Sequence, residues 1–356
     1  METSDSPLRI LVFGAGAIGT YIGGSLLLQG ARVVFLERPE VAAEVKCNGL
    51  HLLLEDGEHH IPEPMIAASL VEAFEKGPLD VALFAMKSYD TQAALDQIAS
   101  YLEEQGGNFP CILCIQNGVE NEGAIAKVLG LDKVIAGTVT SAIGRNAVGN
   151  IVLERKRGMG IAAGHTLSER IVRTCNEAGL NAQIYPDPAD MKWSKMLTNL
   201  LANATSAILD MTPAEVFSHR GLFKVELAQI QEALLVMHAL NINVVDLPGT
   251  PVRRLAWAVS SLPKGISRPL IKRSVGRGRG GKMPSFHIDL HSGRNLSEVD
   301  YLNGAVARFG EEAGIPTPVN RFLKETLLAI AWKEIPLDYY SHQPEKLIKD
   351  IMISIS

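Results

Sequence analysis

One predicted helix carries three polar side chains at a spacing that could serve chemistry. Residues 191–206 form a mostly apolar helical pattern in which Lys195, Asn199 and Asn203 recur every four residues. Because positions four apart drift only about 40° around a helix axis, the lysine and both amides share one face. Burying such groups is costly unless they face a polar cavity, so the pattern predicts a binding face. A polar stripe on a surface between domains is the alternative.

A carboxylate candidate, Glu298, falls in the first turn of a predicted helix from Asn295 to Arg308. An acid in that position is favoured by the helix dipole, and Asn295 or Ser297 could cap the helix. Glu298 is therefore either a site residue or an ordinary first-turn acid.

Two further candidates follow buried strands. Lys87 comes after the apolar run 80–86, and Asn117 lies in Gln116-Asn117-Gly118 after the run 111–115. Ligands of open α/β sheets collect at the carboxyl ends of the strands, which places both residues near a ligand. A solvated lysine and a plain turn are the alternatives.

A glycine fingerprint supplies the elements that must position these groups. Gly14-Ala-Gly16-Ala17-Ile18-Gly19 follows the strand 9–13, opens a helix and precedes a second strand, 32–36. Within such a βαβ unit the first glycine permits the turn, the second lets a pyrophosphate approach, and the third allows close helix packing. The segment predicts a dinucleotide site, with Glu37 and Arg38 ending the second strand.

The order of elements predicts an N-terminal Rossmann domain over residues 1–186 and an all-helical C-terminal domain over residues 187–356. Strand-like runs continue at 134–139, 150–153, 159–162 and 182–185, with a helix near 168–178. Pro186-Asp-Pro188 then interrupts the chain, and long helical periods follow it.

Composition narrows the function classes. The chain has 356 residues, a net charge of −5 and 47% hydrophobic residues, which argues against a nucleic-acid or membrane-surface protein. Residues 247–288 nevertheless lack any acid. They hold nine cations: Arg253, Arg254, Lys264, Arg268, Lys272, Arg273, Arg277, Arg279 and Lys282. This stretch either forms a solvated basic surface or attracts an anionic substrate to the site.

Cysteine and histidine usage predicts neither disulfides nor a metal. Four cysteines fit a reducing cytosol, and the pair Cys111 and Cys114 sits in an apolar strand without partners for zinc. His287 and His291 are four residues apart around Asp289, but no third ligand is evident. We expect a cytoplasmic protein, and we take a homodimer as the working hypothesis for its oligomeric state.

Several motifs in order resemble the ketopantoate reductase family (2-dehydropantoate 2-reductases) over nearly the whole chain. They are Gly14 to Gly19, Met86-Lys87-Ser88, Gln116 to Asn121, Trp193-Ser-Lys195 with Asn199 and Asn203, Pro284-Ser285-Phe-His-Ile-Asp289, and Ser297-Glu298-Val-Asp-Tyr-Leu-Asn303-Gly304. The resemblance implies NADPH-dependent reduction of the small 2-oxo acid ketopantoate to pantoate, in pantothenate biosynthesis. It also implies a site in a cleft between the two domains.

The resemblance further implies a role for each site residue. Lys195 would be the catalytic general acid and Glu298 its partner carboxylate, also near the cofactor. Asn199, Asn203 and Ser285 would hold the substrate, and Asn117 would link substrate and cofactor. The cofactor-binding set would be Gly14, Gly16, Ala17, Ile18, Gly19, Arg38, Lys87, Asn117 and Glu298.

Cofactor and substrate choice stay open in the sequence. Glu37 stands where an acid holds the ribose diol of NADH, whereas Arg38 suits the 2′-phosphate of NADPH, which the resemblance favours. The family's usual Pro-Ser-Met-Leu-Gln-Asp is here Pro284-Ser-Phe-His-Ile-Asp289. A reductase or dehydrogenase for another 2-oxo or 2-hydroxy acid, or a dinucleotide sensor without turnover, are the alternatives.

Overall fold

The structure is a computed structural model that describes residues 7–261, 282–293 and 295–355. The described chain divides into two compact units. The first comprises the described residues up to Gln116, with Glu120–Lys192 and Leu247–Thr250. The second comprises Asn117–Val119, Trp193–Asp246 and the described residues from Pro251 onward. The predicted boundary at residues 186 and 187 stays a prediction.

The first unit is built on strands and the helices between them. Its strands are β1 (Arg9–Phe13), β2 (Arg32–Leu36), β3 (Leu50–Leu54), β4 (Gly57–Ile61), β5 (Met65–Ala67), β6 (Val81–Phe84), β7 (Cys111–Cys114), β8 (Val134–Val139), β9 (Ala142–Ala147), β10 (Asn150–Arg155), β11 (Met159–Ala162) and β12 (Ala182–Tyr185). Its helices are α1 (Ala17–Leu28), α2 (Pro39–Asn48), α3 (Leu70–Glu75), α4 (Thr91–Gln105), α5 (Asn121–Leu129) and α6 (Ser168–Glu177).

Eight strands form the main sheet in the order β12-β11-β8-β7-β6-β1-β2-β5. All neighbours are parallel except β8 and β11. Successive β1 residues enter two different apolar clusters, Ile10 and Val12 in one and Leu11 and Phe13 in the other. Because strand side chains alternate between faces, both faces of the sheet are covered, as in Rossmann folds.

A second sheet was not predicted. The strands β4-β3-β10-β9 form it, with β3 and β10 parallel and the other pairs antiparallel. The sequence pattern did not predict the strands β3, β4, β5 and β9. In β4 the exposed and half-buried residues Glu58, His59 and His60 give no apolar period to detect.

The regular elements among the described residues of the second unit are all helices, which confirms the predicted fold class. After α7 (Pro188–Leu200), which begins in the first unit, its helices are α8 (Ala204–Leu209), α9 (Pro213–Ser218), α10 (Arg220–Ala239), α11 (Val252–Ser261), α12 (Ser285–His291), α13 (Asn303–Glu312), α14 (Pro318–Ala331) and α15 (Pro344–Ile355). The 20-residue α10 packs against α9, α11, α13, α14 and α15, which makes it the central helix.

Two predicted helices are interrupted. The helix expected over residues 191–206 ends at Leu200 and restarts at Ala204, with Ala202 at a φ of +48° between them. The helix expected from Asn295 to Arg308 is a 3₁₀ turn, Glu298–Tyr301, followed by α13. Both predictions of one continuous helix were wrong, because helical spacing by itself does not reveal where a helix is broken.

No helix in the described chain is long and apolar enough to cross a membrane. Of the nine cations in the basic stretch, Arg253, Arg254 and Lys282 are described; Lys264, Arg268, Lys272, Arg273, Arg277 and Arg279 lie outside the described residues.

Candidate active site

The glycine loop between β1 and α1 has the geometry that a bound diphosphate requires. Gly14 adopts a φ of +98°, which favours glycine, and its N–H donates to the Leu36 carbonyl at 3.1 Å. A Cβ on Gly19 would lie 1.8 Å from the Gly14 carbonyl oxygen, so the helix packs against the turn without room for a methyl group. A Cβ on Gly16 would meet nothing within 4 Å. The loop is therefore open at Gly16, and α1 begins directly after it with Ala17 and Ile18. The first N–H groups of a helix have no partner within the helix, so they are available to an anion at this end.

Two charged residues, Glu37 and Arg38, follow β2 next to the glycine loop. The Glu37 carboxylate accepts from the Ala15 N–H at 2.6 Å and from the Arg38 N–H at 3.2 Å. Arg38 is exposed and precedes the first residue of α2. Glu37 thus fixes the turn, while the Arg38 guanidinium stands at the same strand end.

Amide side chains tie together the ends of β6 and β7, where Lys87 lies. Gln116 donates to the carbonyls of Met86 and Lys87 at 3.3 and 3.2 Å and to the Thr91 hydroxyl at 2.8 Å. Asn121 donates to the Ser88 hydroxyl at 3.2 Å. The backbone around half-buried Lys87 is therefore held by groups that belong to the following strand end.

Lys192 is a residue of this region that sequence reasoning missed. Its side chain is 5% exposed, and its Nζ lies 2.7 Å from Glu122 Oε1 and donates to the carbonyls of Gln116 and Gly137 at 2.6 and 3.3 Å. Burial disfavours the ammonium, but the Glu122 carboxylate outweighs that cost and raises the pKa of Lys192. The buried cation fixes the last residue before Asn117. Its only sequence signal was a lysine between Met191 and Trp193.

In the second unit, the structure brings together two predicted site residues. Asn199, in the last turn of α7, donates from its side-chain amide to the Asn117 side-chain carbonyl at 2.8 Å. Lys195 lies one turn earlier on α7 and is half-buried. Because residues four apart are neighbours on a helix surface, Lys195 and the Asn199–Asn117 pair share one side of α7.

Asn203 does not lie on the same helix as Lys195 and Asn199, contrary to what its spacing predicted. It lies beyond the break, at the start of α8, and its side-chain oxygen accepts from the Phe286 N–H at 3.2 Å. Phe286 is the second residue of α12, whose first residue is the exposed Ser285. Asn203 therefore holds the first turn of α12 and, with it, Ser285.

A buried chain of polar groups produces the break between α7 and α8. The Glu226 carboxylate, fully buried on α10, accepts from the Ala202 N–H and the Thr205 hydroxyl, each at 2.6 Å. Gln229 donates to Glu226 at 2.8 Å and accepts from Asn303 at 3.1 Å. These bonds replace helical ones at Ala202, so Asn199 and Asn203 no longer continue one helix.

The same network reaches the start of α14. Glu232, one turn beyond Gln229, accepts from the Val319 and Asn320 N–H groups, both at 2.9 Å. Burial raises the pKa of Glu232 against the opposing effect of these donors. A recurrence of polar residues every three positions, Glu226, Gln229 and Glu232, was the sequence signal for this network.

Glu298 is buried, with 2% exposure, as the first residue of its 3₁₀ turn. Ser297 caps that turn by accepting from the Val299 N–H at 3.2 Å. The expected partnership of Glu298 with Lys195, like every other catalytic role above, stays a prediction.

The cysteine pair lies within the main sheet. Cys111 and Cys114 are both buried in β7 and belong to the apolar clusters on opposite faces of the sheet. Burial raises the pKa of Cys111 to about 11 and that of Cys114 further. Both thiols therefore stay protonated near neutral pH and point away from each other.

The histidine pair on α12 does have a third neighbour, contrary to the sequence analysis. Asp210, the residue that ends α8, offers an oxygen within 4.8 Å of a ring nitrogen of His287 and of His291. Seventy-seven residues of sequence separate Asp210 from His287, so only the fold could bring them together.

Family models match both halves of the chain. Residues 10–165 match the model described as ketopantoate reductase PanE/ApbA, and residues 187–331 match its C-terminal model. The chain belongs to the ketopantoate reductase family. This membership confirms the resemblance drawn from the motifs and makes the chain a member of a family of dinucleotide-binding oxidoreductases.

Relatives of this ketopantoate reductase family member extend over nearly its full length. A 2-dehydropantoate 2-reductase of Mesorhizobium japonicum is 29% identical over 87% of this chain and 94% of its own. One from Archaeoglobus fulgidus is 27% identical over 88% of this chain and 95% of its own.

Solved structures share the fold of this family member. A PanE/ApbA family ketopantoate reductase from Ralstonia eutropha superposes with a TM-score of 0.76 at 24% identity, covering 92% of this chain and 99% of that one. D-mandelate dehydrogenase, solved with NADH and anilino(oxo)acetate, gives a TM-score of 0.74 at 22% identity, covering 91% and 98%.

Proposed function

We propose that this protein reduces ketopantoate to pantoate with NADPH, a step of pantothenate biosynthesis. The observation that carries the proposal is the arrangement on α7, where Lys195 stands one turn before the Asn199–Asn117 amide pair. A cation beside two amides suits a substrate that has a carboxylate, a carbonyl and a hydroxyl, because amides orient these groups without adding a competing charge.

The proton is proposed to come from Lys195. When bound, NADPH supplies a hydride to the carbonyl carbon of the 2-oxo acid. Negative charge then develops on the carbonyl oxygen, which the Lys195 ammonium stabilises and protonates, and the resulting amine regains its proton from solvent. Glu298 is proposed to hold the Lys195 ammonium in place and to favour its protonated form.

Substrate binding is assigned to the remaining polar residues. Asn199 and Asn203 are proposed to contact the 2-oxo acid, with Ser285 at the first turn of α12 bonding to its far end. Asn203 already accepts from Phe286 N–H through its oxygen, so its amide nitrogen is the atom left to donate to a substrate oxygen. Asn117 is proposed to bridge substrate and cofactor.

The choice of cofactor is assigned from residues of the first unit. The loop is open at Gly16, and the N-terminus of α1 meets the requirement of a diphosphate for free backbone donors. Lys87 is proposed to lie near the nicotinamide end. Arg38 is proposed to pair with the 2′-phosphate of NADPH, since the Glu37 carboxylate is engaged by Ala15 N–H. NADH is the alternative if Glu37 releases that bond.

An absorbance assay at the nicotinamide band tests the function. Protein, NADPH and ketopantoate should give oxidation of NADPH that depends on both reactants. If NADPH is not oxidised with ketopantoate but is oxidised with another 2-oxo acid of a panel, that acid is the substrate instead. If the protein binds NADPH but turns over no member of the panel in either direction, it is a dinucleotide sensor and not a reductase. The homodimer and the cytoplasmic location stay predictions, for which sedimentation and fractionation are the measurements.

A further inference from the structure

Three metal-binding side chains converge at the end of α8, in the helical unit. His287 Nε2 lies 2.7 Å from Asp210 Oδ1, and one ligand atom from each of Asp210, His287 and His291 falls within 4.8 Å of the others. The proposed function uses none of these three residues. Their donor set, two imidazoles and a carboxylate, is one that zinc prefers.

The two imidazoles are held face to face by the helix that carries them. His287 and His291 are separated by one turn of α12, and their ring centroids are 4.0 Å apart with a 25° angle between the planes. Residues four apart on a helix present their side chains to the same spot, which is how helical histidine pairs chelate a metal. Within the described part of the chain, neither ring nitrogen of His291 has a hydrogen-bond partner.

The backbone on both sides of the cluster is already fixed. Phe286 and Leu290, on the other side of α12, are buried, and the Phe286 N–H bonds to Asn203 at the opposite end of α8 from Asp210. Asp210 itself sits in the left-handed region, with a φ of +51°. Ligands on rigid elements lose little freedom when a metal binds, which favours affinity.

A simple ion pair does not account for the whole cluster. An ion pair would explain why His287 lies beside Asp210, but it would not explain why His291 is there too. His342 is also near, with its Nε2 4.0 Å from the second Asp210 oxygen. The chain offers a contrast in His51 and His60, whose rings also stack, at 4.2 Å. Both of those imidazoles contact the Asn48 carbonyl, and no carboxylate of the described residues completes their pair.

We propose that Asp210, His287 and His291 bind one divalent transition-metal ion of the zinc class. Zinc–ligand distances are about 2.0–2.2 Å, so the three ligand atoms, which now lie within 4.8 Å of one another, would move closer together around the ion. The Asp210 side chain is 45% exposed, so an ion can enter from solvent. Bound there, the ion would cross-link the end of α8 to α12 and stabilise the helical unit, without taking part in the reaction proposed above.

Metal titration of the untagged full chain, stripped with a chelator, tests the proposal. We expect Zn²⁺ to bind with one equivalent by calorimetry and to raise Tm, whereas Mg²⁺, which prefers oxygen ligands, should not. Co²⁺ should give the visible absorption of a site with low coordination number. Wild-type protein without saturable Zn²⁺ binding would overturn the proposal.

Matched variants separate this site from other histidines. His291→Gln should weaken Zn²⁺ binding by at least about 100-fold, because loss of a direct ligand costs at least as much as loss of a supporting group. Asp210→Asn, which tolerates the left-handed conformation, should also weaken it. His60→Gln should leave it unchanged. Tm of each variant in chelator confirms folding, and full Zn²⁺ affinity in a folded His291→Gln protein would refute the assignment.

Discussion

The side-chain amide of Asn199 donates to the side-chain carbonyl of Asn117 at 2.8 Å, across 82 residues of sequence. Asn117 follows β7 and Asn199 lies in the last turn of α7, so neither local pattern contains the contact. The bond orients both amides before any ligand arrives, which reduces the entropy lost on binding.

Substitutions of this pair should therefore be coupled. Asn199→Ala and Asn117→Ala should each raise KM for the 2-oxo acid by roughly 10-fold, the upper range for one hydrogen bond. The double variant should cost less than the two effects combined, with a coupling energy of about 0.5–3 kcal/mol. Asn146→Ala, at an exposed position of β9, is the control. Strict additivity would mean that the bond does not act in substrate binding.

Lys195→Ala should lower kcat by about 10² to 10⁴-fold, because its charge and proton matter most in the transition state. The Kd for NADPH, measured by fluorescence titration, should change little. Lys224→Ala, which removes an exposed lysine of α10, should leave both values unaltered. An equal loss of NADPH affinity in Lys195→Ala would show that the lysine binds cofactor instead.

Alanine substitutions of Gly16 and Gly19, at the start of α1, should affect different properties of the protein. Gly16→Ala should fold with nearly unchanged Tm, since its Cβ meets no protein atom, but it should weaken NADPH binding by more than about 10-fold where the diphosphate approaches. Gly19→Ala should destabilise the first unit by about 1–3 kcal/mol, because its Cβ collides with the Gly14 carbonyl. Thermal melts with and without NADPH distinguish the two, and unaltered NADPH affinity in Gly16→Ala would move the diphosphate elsewhere.

Arg38→Ala should lower kcat/KM for NADPH much more than kcat/KM for NADH. The ratio of the two values should fall by about 10- to 100-fold, which is the range of a charge-assisted hydrogen bond. Arg173→Ala, on an exposed turn of α6, controls for loss of a surface cation. An unchanged ratio would mean that Glu37, and not Arg38, selects the cofactor. In that case Glu37→Gln should change kcat/KM for NADH more than kcat/KM for NADPH.

Lys192→Met should lower the free energy of unfolding by about 3–5 kcal/mol at pH 7, because it leaves the Glu122 carboxylate without its cation. Adding Glu122→Gln should restore part of that loss. Since the pKa of Lys192 is raised in the folded protein, its stabilisation is fully present below the unfolded value of 10.5 and is lost as pH rises through the folded value. Urea melts should therefore show the difference from wild type undiminished between pH 6 and 9. A difference that vanished within that range would contradict a charged Lys192.

Local sequence determined several strands of the main sheet and the glycine loop. The predicted strands Arg9–Phe13, Arg32–Leu36, Val134–Val139, Met159–Ala162 and Ala182–Tyr185 have the same bounds in the structure. A strand buried on both faces is a short apolar run, and the conformation of Gly14 depends on its own residue type, so both can be inferred from neighbours in the chain.

The family could also be inferred from the sequence alone, because its motifs are short and occur in order. The same holds for the residue types of the candidate site. Tertiary structure decided how those residues are held. Glu226 ends the helix that spacing had extended through Asn203, Lys192 fixes the residue before Asn117, and Asp210 joins a histidine pair that lacked a third ligand. In each case a buried or shared polar group must find its partner far along the chain, and periodicity, which records only which face a residue occupies, carries no information about that partner.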